Sequence, residues 1–250
     1  MSGAVMLSPR VEALPRALAR MAGGLYLIVI VAGAFAVGYV PAALVVPGDA
    51  AATAHNIQAH EMLYRLSIVA HVIILLCNVL LAVLFYDLFK VVNRRLALLV
   101  AFFTLMGTAV EAAYLLNQFT PLLLLEGGRS VSDLTAEQLQ AQVSTPLALQ
   151  ASGYNVHQMF YDCYLLCAAY LVFRSTFLPR ALGVVLAIGG LSYLTHNVAA
   201  ILSPEIAAQL DPLVALGGIA EIALTLRLLL VGVDVRKWKD RANEAVSPGA

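Results

Sequence analysis

Charge is scarce in this chain. Lys, Arg, Asp and Glu make up 12% of its 250 residues, about half the share in a soluble domain. Fifteen Lys/Arg balance fifteen Asp/Glu. With no net positive field, a nucleic-acid partner is not expected. Cysteine is nearly missing too. Cys77, Cys163 and Cys167 all lie in apolar runs and are expected as small buried hydrophobes. There is no CxxC or zinc-finger spacing. There is also no HExxH and no His pair at i,i+4, so the common signatures of metallohydrolases are missing. Ten-residue segments of alternating polarity do not occur either, which excludes a membrane β-barrel.

What is present is long apolar runs. Hydrophobic residues make up 61% of the chain and mean hydropathy is +0.86. That composition belongs to a polytopic membrane protein. In lipid every backbone polar group must be satisfied internally, and runs of this length choose helices. The expected fold is all-α, a bundle of six transmembrane helices. The spans are expected at about 21–40, 63–85, 96–119, 154–174, 179–202 and 212–233. They make one domain (21–233) between an N-terminal segment (1–20) and a basic tail (234–250) whose last few residues are expected to be disordered. The first run is too long for a signal-peptide core and is read as an uncleaved span. In the long third connection, Thr135 and Gln138 have the spacing of a capping box. This predicts a short surface helix from about Ala136 to Val143, stopped near Pro146, which would cap the outer mouth as a lid.

Basic residues set the orientation. Arg10, Arg16, Arg20, Lys90, Arg94, Arg95, Arg174, Arg180, Arg236, Lys237, Lys239 and Arg241 fall on the side of the termini, against Arg65 and Arg129 on the other. By the positive-inside rule both termini are cytoplasmic, in a bacterial inner membrane. The run Arg236–Arg241 would touch anionic lipid. His55 and His60, in the first outer loop, are expected to be solvated.

Several stretches share a family pattern: RMAGGLYLIV in span one, NIQAHEMLYRLSIV entering span two, FYDLFKVVNRRLALLVAFF across the second turn, RSTFLPRALGVVL at the fourth turn and GIAEIALTLRLLLVG in span six. Together they resemble the bacterial multi-pass membrane family called domain of unknown function 4386. The turn from Arg174 to Gly183 is the most specific part. The resemblance implies six helices and a plasma-membrane location, and implies no activity. Arg227 departs from the pattern, which has an apolar or aromatic residue there.

The unusual feature is polar residues deep in the spans. Counting helical rise, His71, Glu111, Asp162, His196 and Glu221 all fall roughly 9–14 Å below the outer boundary. Buried charges in lipid face a bundle interior or a wet cavity. Helical spacing puts Ser67, His71 and Asn78 on one face, and Thr104, Gly107, Thr108, Glu111 and Gln118 on another. Tyr193, His196 and Asn197 cluster on span five, and Gly218, Glu221 and Thr225 align on span six. On span four, His157, Tyr161 and Tyr164 share a face, while Asp162 is roughly 140° round from His157. Arg65, at the outer mouth, would snorkel or pair with Glu111 or Glu221. Arg227 is expected to snorkel toward the inner boundary.

The candidate ligand-binding set is therefore Arg65, His71, Glu111, His157, Tyr161, Asp162, His196 and Glu221. Three readings stay open. One is an internal hydrogen-bond network that fixes helix register. The second is a carrier or binding cavity for a small molecule or cation. The third is an intramembrane enzyme holding zinc through His71, Glu111, His196 and Glu221, or haem between His71 and His196, and acting on a lipid-like substrate. No cofactor is firmly implied, membrane lipid is the one assured partner, and the sequence does not indicate an oligomeric state.

Overall fold

The computed structural model describes residues 9–126 and 133–246. Arg129 and the expected disorder at the end of the tail, residues 247–250, lie outside them. The protein is all-α, and six of the described helices are long and apolar enough to cross a membrane. They are Leu14–Leu44, Glu61–Phe89, Arg94–Leu123, Ala136–Arg174, Arg180–Leu202 and Pro204–Val231. Each packs on its neighbours in sequence, and the sixth returns to the first, which closes an up-and-down ring.

Local chemistry explains the helix ends. Asn93 accepts from the Leu96 amide at 3.0 Å and caps the third span. The turn between the fourth and fifth spans shows what each position of its motif does. Ser175 is fully buried and bridges the turn, donating to the Val172 carbonyl at 2.8 Å and accepting from the Leu178 amide. Thr176 takes a left-handed conformation, φ 61°. Phe177 and Leu178 then plug the core, and Pro179 starts the next helix at its required φ. At Gly183 the fifth span touches the fourth, where a Cβ would stand 2.6 Å from the Phe173 amide nitrogen. Gly23 does the same for the first and sixth spans, 2.5 Å from the Leu229 nitrogen.

Two helices run further than their prolines suggest. Thr135 and Gln138 do form the capping box, at 2.9 and 3.2 Å. The helix does not stop at Pro146, however. It passes through a wide π-helical turn, Gln140–Ser144, straight into the fourth span. That wider turn shifts the backbone register just before Pro146, where the missing amide breaks the helical hydrogen-bond pattern. The sixth span begins at Pro204, not near Pro212, and Pro212 sits inside it. The amide Pro212 lacks would have bonded only the Ala208 carbonyl, near the helix end.

Two apolar clusters bracket the bundle. Near the termini, Tyr26, Phe85, Phe89, Leu165, Leu171, Phe177, Leu224 and Leu228 form the main core. The basic helix Val235–Val246 docks beneath it. Trp238 donates to the Leu88 carbonyl at 2.9 Å, and Arg241 to the Arg174 carbonyl. At the opposite end, Leu139 and Val143 pack with Val40, Leu44, Ile57, Tyr64 and Leu122. Ile57 comes from a short helix, Ala50–Ala59, started by an Asp49 cap. This second cluster roofs the bundle. The polar residues lie between the two clusters.

Candidate functional site

The fourth span supplies one wall. Tyr154, His157, Tyr161 and Tyr164 follow one another along a face at helical spacing, with ring centroids 6.1, 6.2 and 5.2 Å apart. Tyr161 ties three spans together. Its hydroxyl donates a hydrogen bond to Glu221 of the sixth span, and stands 2.7 Å from the Tyr26 hydroxyl of the first. A phenol has one proton. With that proton given to Glu221, Tyr161 accepts from Tyr26. His157 reaches across to the third span, its Nδ1 2.9 Å from the Gly107 carbonyl. Glu111, one turn on from Gly107, brings its Oε2 to 3.9 Å from the same nitrogen.

These side chains surround a cavity of about 290 Å³, the inner chamber. Glu111, His157, Tyr161 and Glu221 line it, with Tyr26, Tyr154, Tyr193 and Asn78. A second cavity of about 350 Å³ adjoins it toward the roof, sharing Val37 and Tyr154 as common wall. Tyr64, Ser67, His71, Tyr114, Gln118, Gln150 and Asn155 line this outer chamber. The first span bounds both chambers with a π-helical segment, Ala34–Tyr39, whose wider turn spreads its side chains. Such insertions recur at functional sites.

The outer chamber holds an unusual number of unsatisfied groups. Tyr64 Oη, His71 Nε2, Tyr114 Oη and Gln118 Oε1 are all buried with no hydrogen-bond partner among the described residues. His71 spends its other nitrogen on the Ser67 carbonyl, 3.0 Å away. Buried polar atoms in native proteins are nearly always paired, so four orphans on residues that line one cavity call for an explanation.

The other expected residues lie elsewhere. Asp162 is fully buried on the opposite face of the fourth span, where it accepts from Asn197 of the fifth at 2.9 Å. Asn197 in turn meets His196 Nδ1 at 3.3 Å, and His196 Nε2 lies 3.0 Å from the exposed carboxylate of Asp211. Arg65 pairs with Glu61, one turn before it, at 2.6 Å. So Glu111, His157, Tyr161 and Glu221 come together, His71 adjoins them, and Asp162 and His196 form a separate chain. The four residues considered for zinc are thus divided among different surroundings. Among the described residues no three His, Cys, Asp or Glu side chains stand together as metal ligands. Arg227 is half-buried at the head of a π-helical turn, Arg227–Val231, with one guanidinium nitrogen buried and without a hydrogen-bond partner among the described residues.

Sequence reasoning missed the tyrosines. Tyr26, Tyr64, Tyr114 and Tyr154 carry much of both chamber walls, yet in a span a tyrosine reads as another apolar residue. The available signal was the hydroxyl, which needs a partner when buried.

No curated protein and no solved structure matches the chain. A family model matches residues 21–232, nearly all of the bundle, and the chain belongs to the family it describes, the domain of unknown function DUF4386.

Proposed function

We propose that this integral membrane protein binds a small molecule inside its bundle, across the two adjoining chambers. The observation that carries this reading is that four residues lining the outer chamber each hold a buried polar atom with no hydrogen-bond partner among the described residues. Each costs about 1–3 kcal/mol where it stays unpaired. A ligand with one or two hydrogen-bonding groups would recover that cost. The volumes, about 350 and 290 Å³, suit a small metabolite. We place the protein in the bacterial cytoplasmic membrane with both termini inside, because basic residues concentrate at the end that bears them. The chambers then lie in the outer half of the bilayer, beneath the roof.

The test is thermal unfolding of the purified protein in lipid nanodiscs against a chemically broad panel of small molecules. A ligand at about a hundred times its Kd adds roughly 2.7 kcal/mol of stability. Stabilisation by at least one compound class is expected, and Gln118→Leu with Tyr114→Phe should abolish it. If no class stabilises the protein, the reading fails. Alkaline phosphatase fused to either terminus should be inactive, and activity there would overturn the orientation.

A further inference from the structure

We propose that the inner chamber seats a monovalent organic cation, an amine or a quaternary ammonium group. The inference rests on the small-molecule reading above and names the ligand's charge. Glu111 and Glu221 come from the third and sixth spans, which are not neighbours in the ring, so they line the chamber from different sides. Among the described residues no Lys or Arg lines it. Glu111 is only 4% exposed and its Oε2 has no hydrogen-bond partner among the described residues. His157 stands 3.9 Å away with the same nitrogen turned to the Gly107 carbonyl. A carboxylate at this depth is costly until something offsets its charge, and a bound cation does that.

The rest of the wall points the same way. Tyr26, Tyr154, Tyr161 and Tyr193 all border the chamber. Aromatic faces attract ammonium groups, most strongly where water is excluded, and carboxylate-plus-aromatic boxes are the usual receptors for quaternary ammonium. A metal ion fits poorly. Hard divalent cations take six or more oxygen ligands, and among the described residues no three ligating side chains stand together. At about 290 Å³ the chamber is also several times too large for a bare ion. A trimethylammonium head fills it better, and the outer chamber can take whatever polar tail the cation carries.

The test compares choline with 3,3-dimethylbutan-1-ol, which has the same shape with carbon in place of the charged nitrogen. Benzyltrimethylammonium serves as a larger cation. Binding is measured by calorimetry on the intact protein in nanodiscs. The cations are expected to bind saturably, and the neutral isostere at least about tenfold more weakly, a difference of 1.4 kcal/mol. Glu221→Gln keeps an acceptor for Tyr161, so it should fold, and it should weaken the cations by about tenfold or more; Glu111→Gln should do the same. Asp162→Asn, on the far face of the fourth span, should leave cation binding unchanged. Equal binding of the isostere, or no loss in either glutamine variant, overturns the cation. If neutral or anionic compounds stabilise the protein while no cation binds, this inference fails and the small-molecule reading stands. If nothing binds, both fail.

Discussion

The two faces of the fourth span do different things with the same kind of residue. On one face, His157 and Tyr161 look into open volume beside Glu111 and Glu221. On the other, Asp162 is packed to zero exposure and meets Asn197 directly. Both faces are polar, and both lie at the same depth. One is hollow and the other is filled. Polarity within a membrane helix therefore does not by itself mark a site. What marks the first face is that its neighbours leave space. The second face works as a strut between the fourth and fifth spans, with a polar edge running out through His196 to Asp211.

The largest expected effect tests filled against hollow at two glycines. Gly183→Val places its first carbon within 2.6 Å of the Phe173 backbone, which cannot step aside. The fifth span must move, at a cost of about 3 kcal/mol. A Cβ at Gly38 meets nothing within 4 Å. Gly38→Val should change stability by less than about 0.5 kcal/mol. Gly38 also lines the inner chamber, so the same variant should reduce ligand stabilisation. Unfolding midpoints of the two proteins, with and without ligand, check both halves. Equal losses from the two substitutions would break the comparison.

Next in size is the strut. Asn197→Leu leaves Asp162 buried with no donor and should cost about 1–3 kcal/mol. Removing both groups, in Asp162→Leu/Asn197→Leu, should recover most of that, because an apolar pair leaves nothing unsatisfied. On the chamber face the expected losses are smaller. Tyr161→Phe removes its bonds to Tyr26 and Glu221, and interhelical hydrogen bonds in membranes average about 0.6 kcal/mol each, so about 1 kcal/mol is expected. A double-mutant cycle with Tyr26→Phe should show coupling, because Tyr161 is oriented by both neighbours. Denaturation in mixed micelles measures all five variants.

The contrast was partly legible in the amino-acid sequence. Six spans followed from run length alone. Polar residues inside the spans were visible there too, and the 140° between His157 and Asp162 already separated the two faces. Three things were not legible. Which helix face meets which depends on close approaches such as Gly23 on Leu229, whose partner is two hundred residues away. The register of the first and fourth spans is reset by π-helical turns, which no periodicity announces. Arg65 illustrates the last difficulty. Glu61 stands at i−4, the ordinary local partner on a helix, whereas attention to depth suggested snorkelling or a pair with Glu111 or Glu221. Local pairing at a helix mouth outweighed the attraction of a buried charge because both groups stay partly in water there.

The smallest expected effect lies at the outer edge of the strut and decides how far it extends. His196 bonds Asp211, whose side chain is 68% exposed. A pair so open to solvent is worth less than about 1 kcal/mol and is weakened by salt. His196→Gln keeps a side chain able to meet Asn197, so the change in unfolding midpoint should correspond to no more than about 0.5 kcal/mol. In that case Asp162 and Asn197 hold the helices and the surface residues merely cover them. A loss as large as that of Asn197→Leu would mean that the chain Asp162–Asn197–His196–Asp211 acts as one unit. Its filled face would then join a buried carboxylate to the outside, and the division of labour across the fourth span would have to be redrawn around a polar connection rather than a strut.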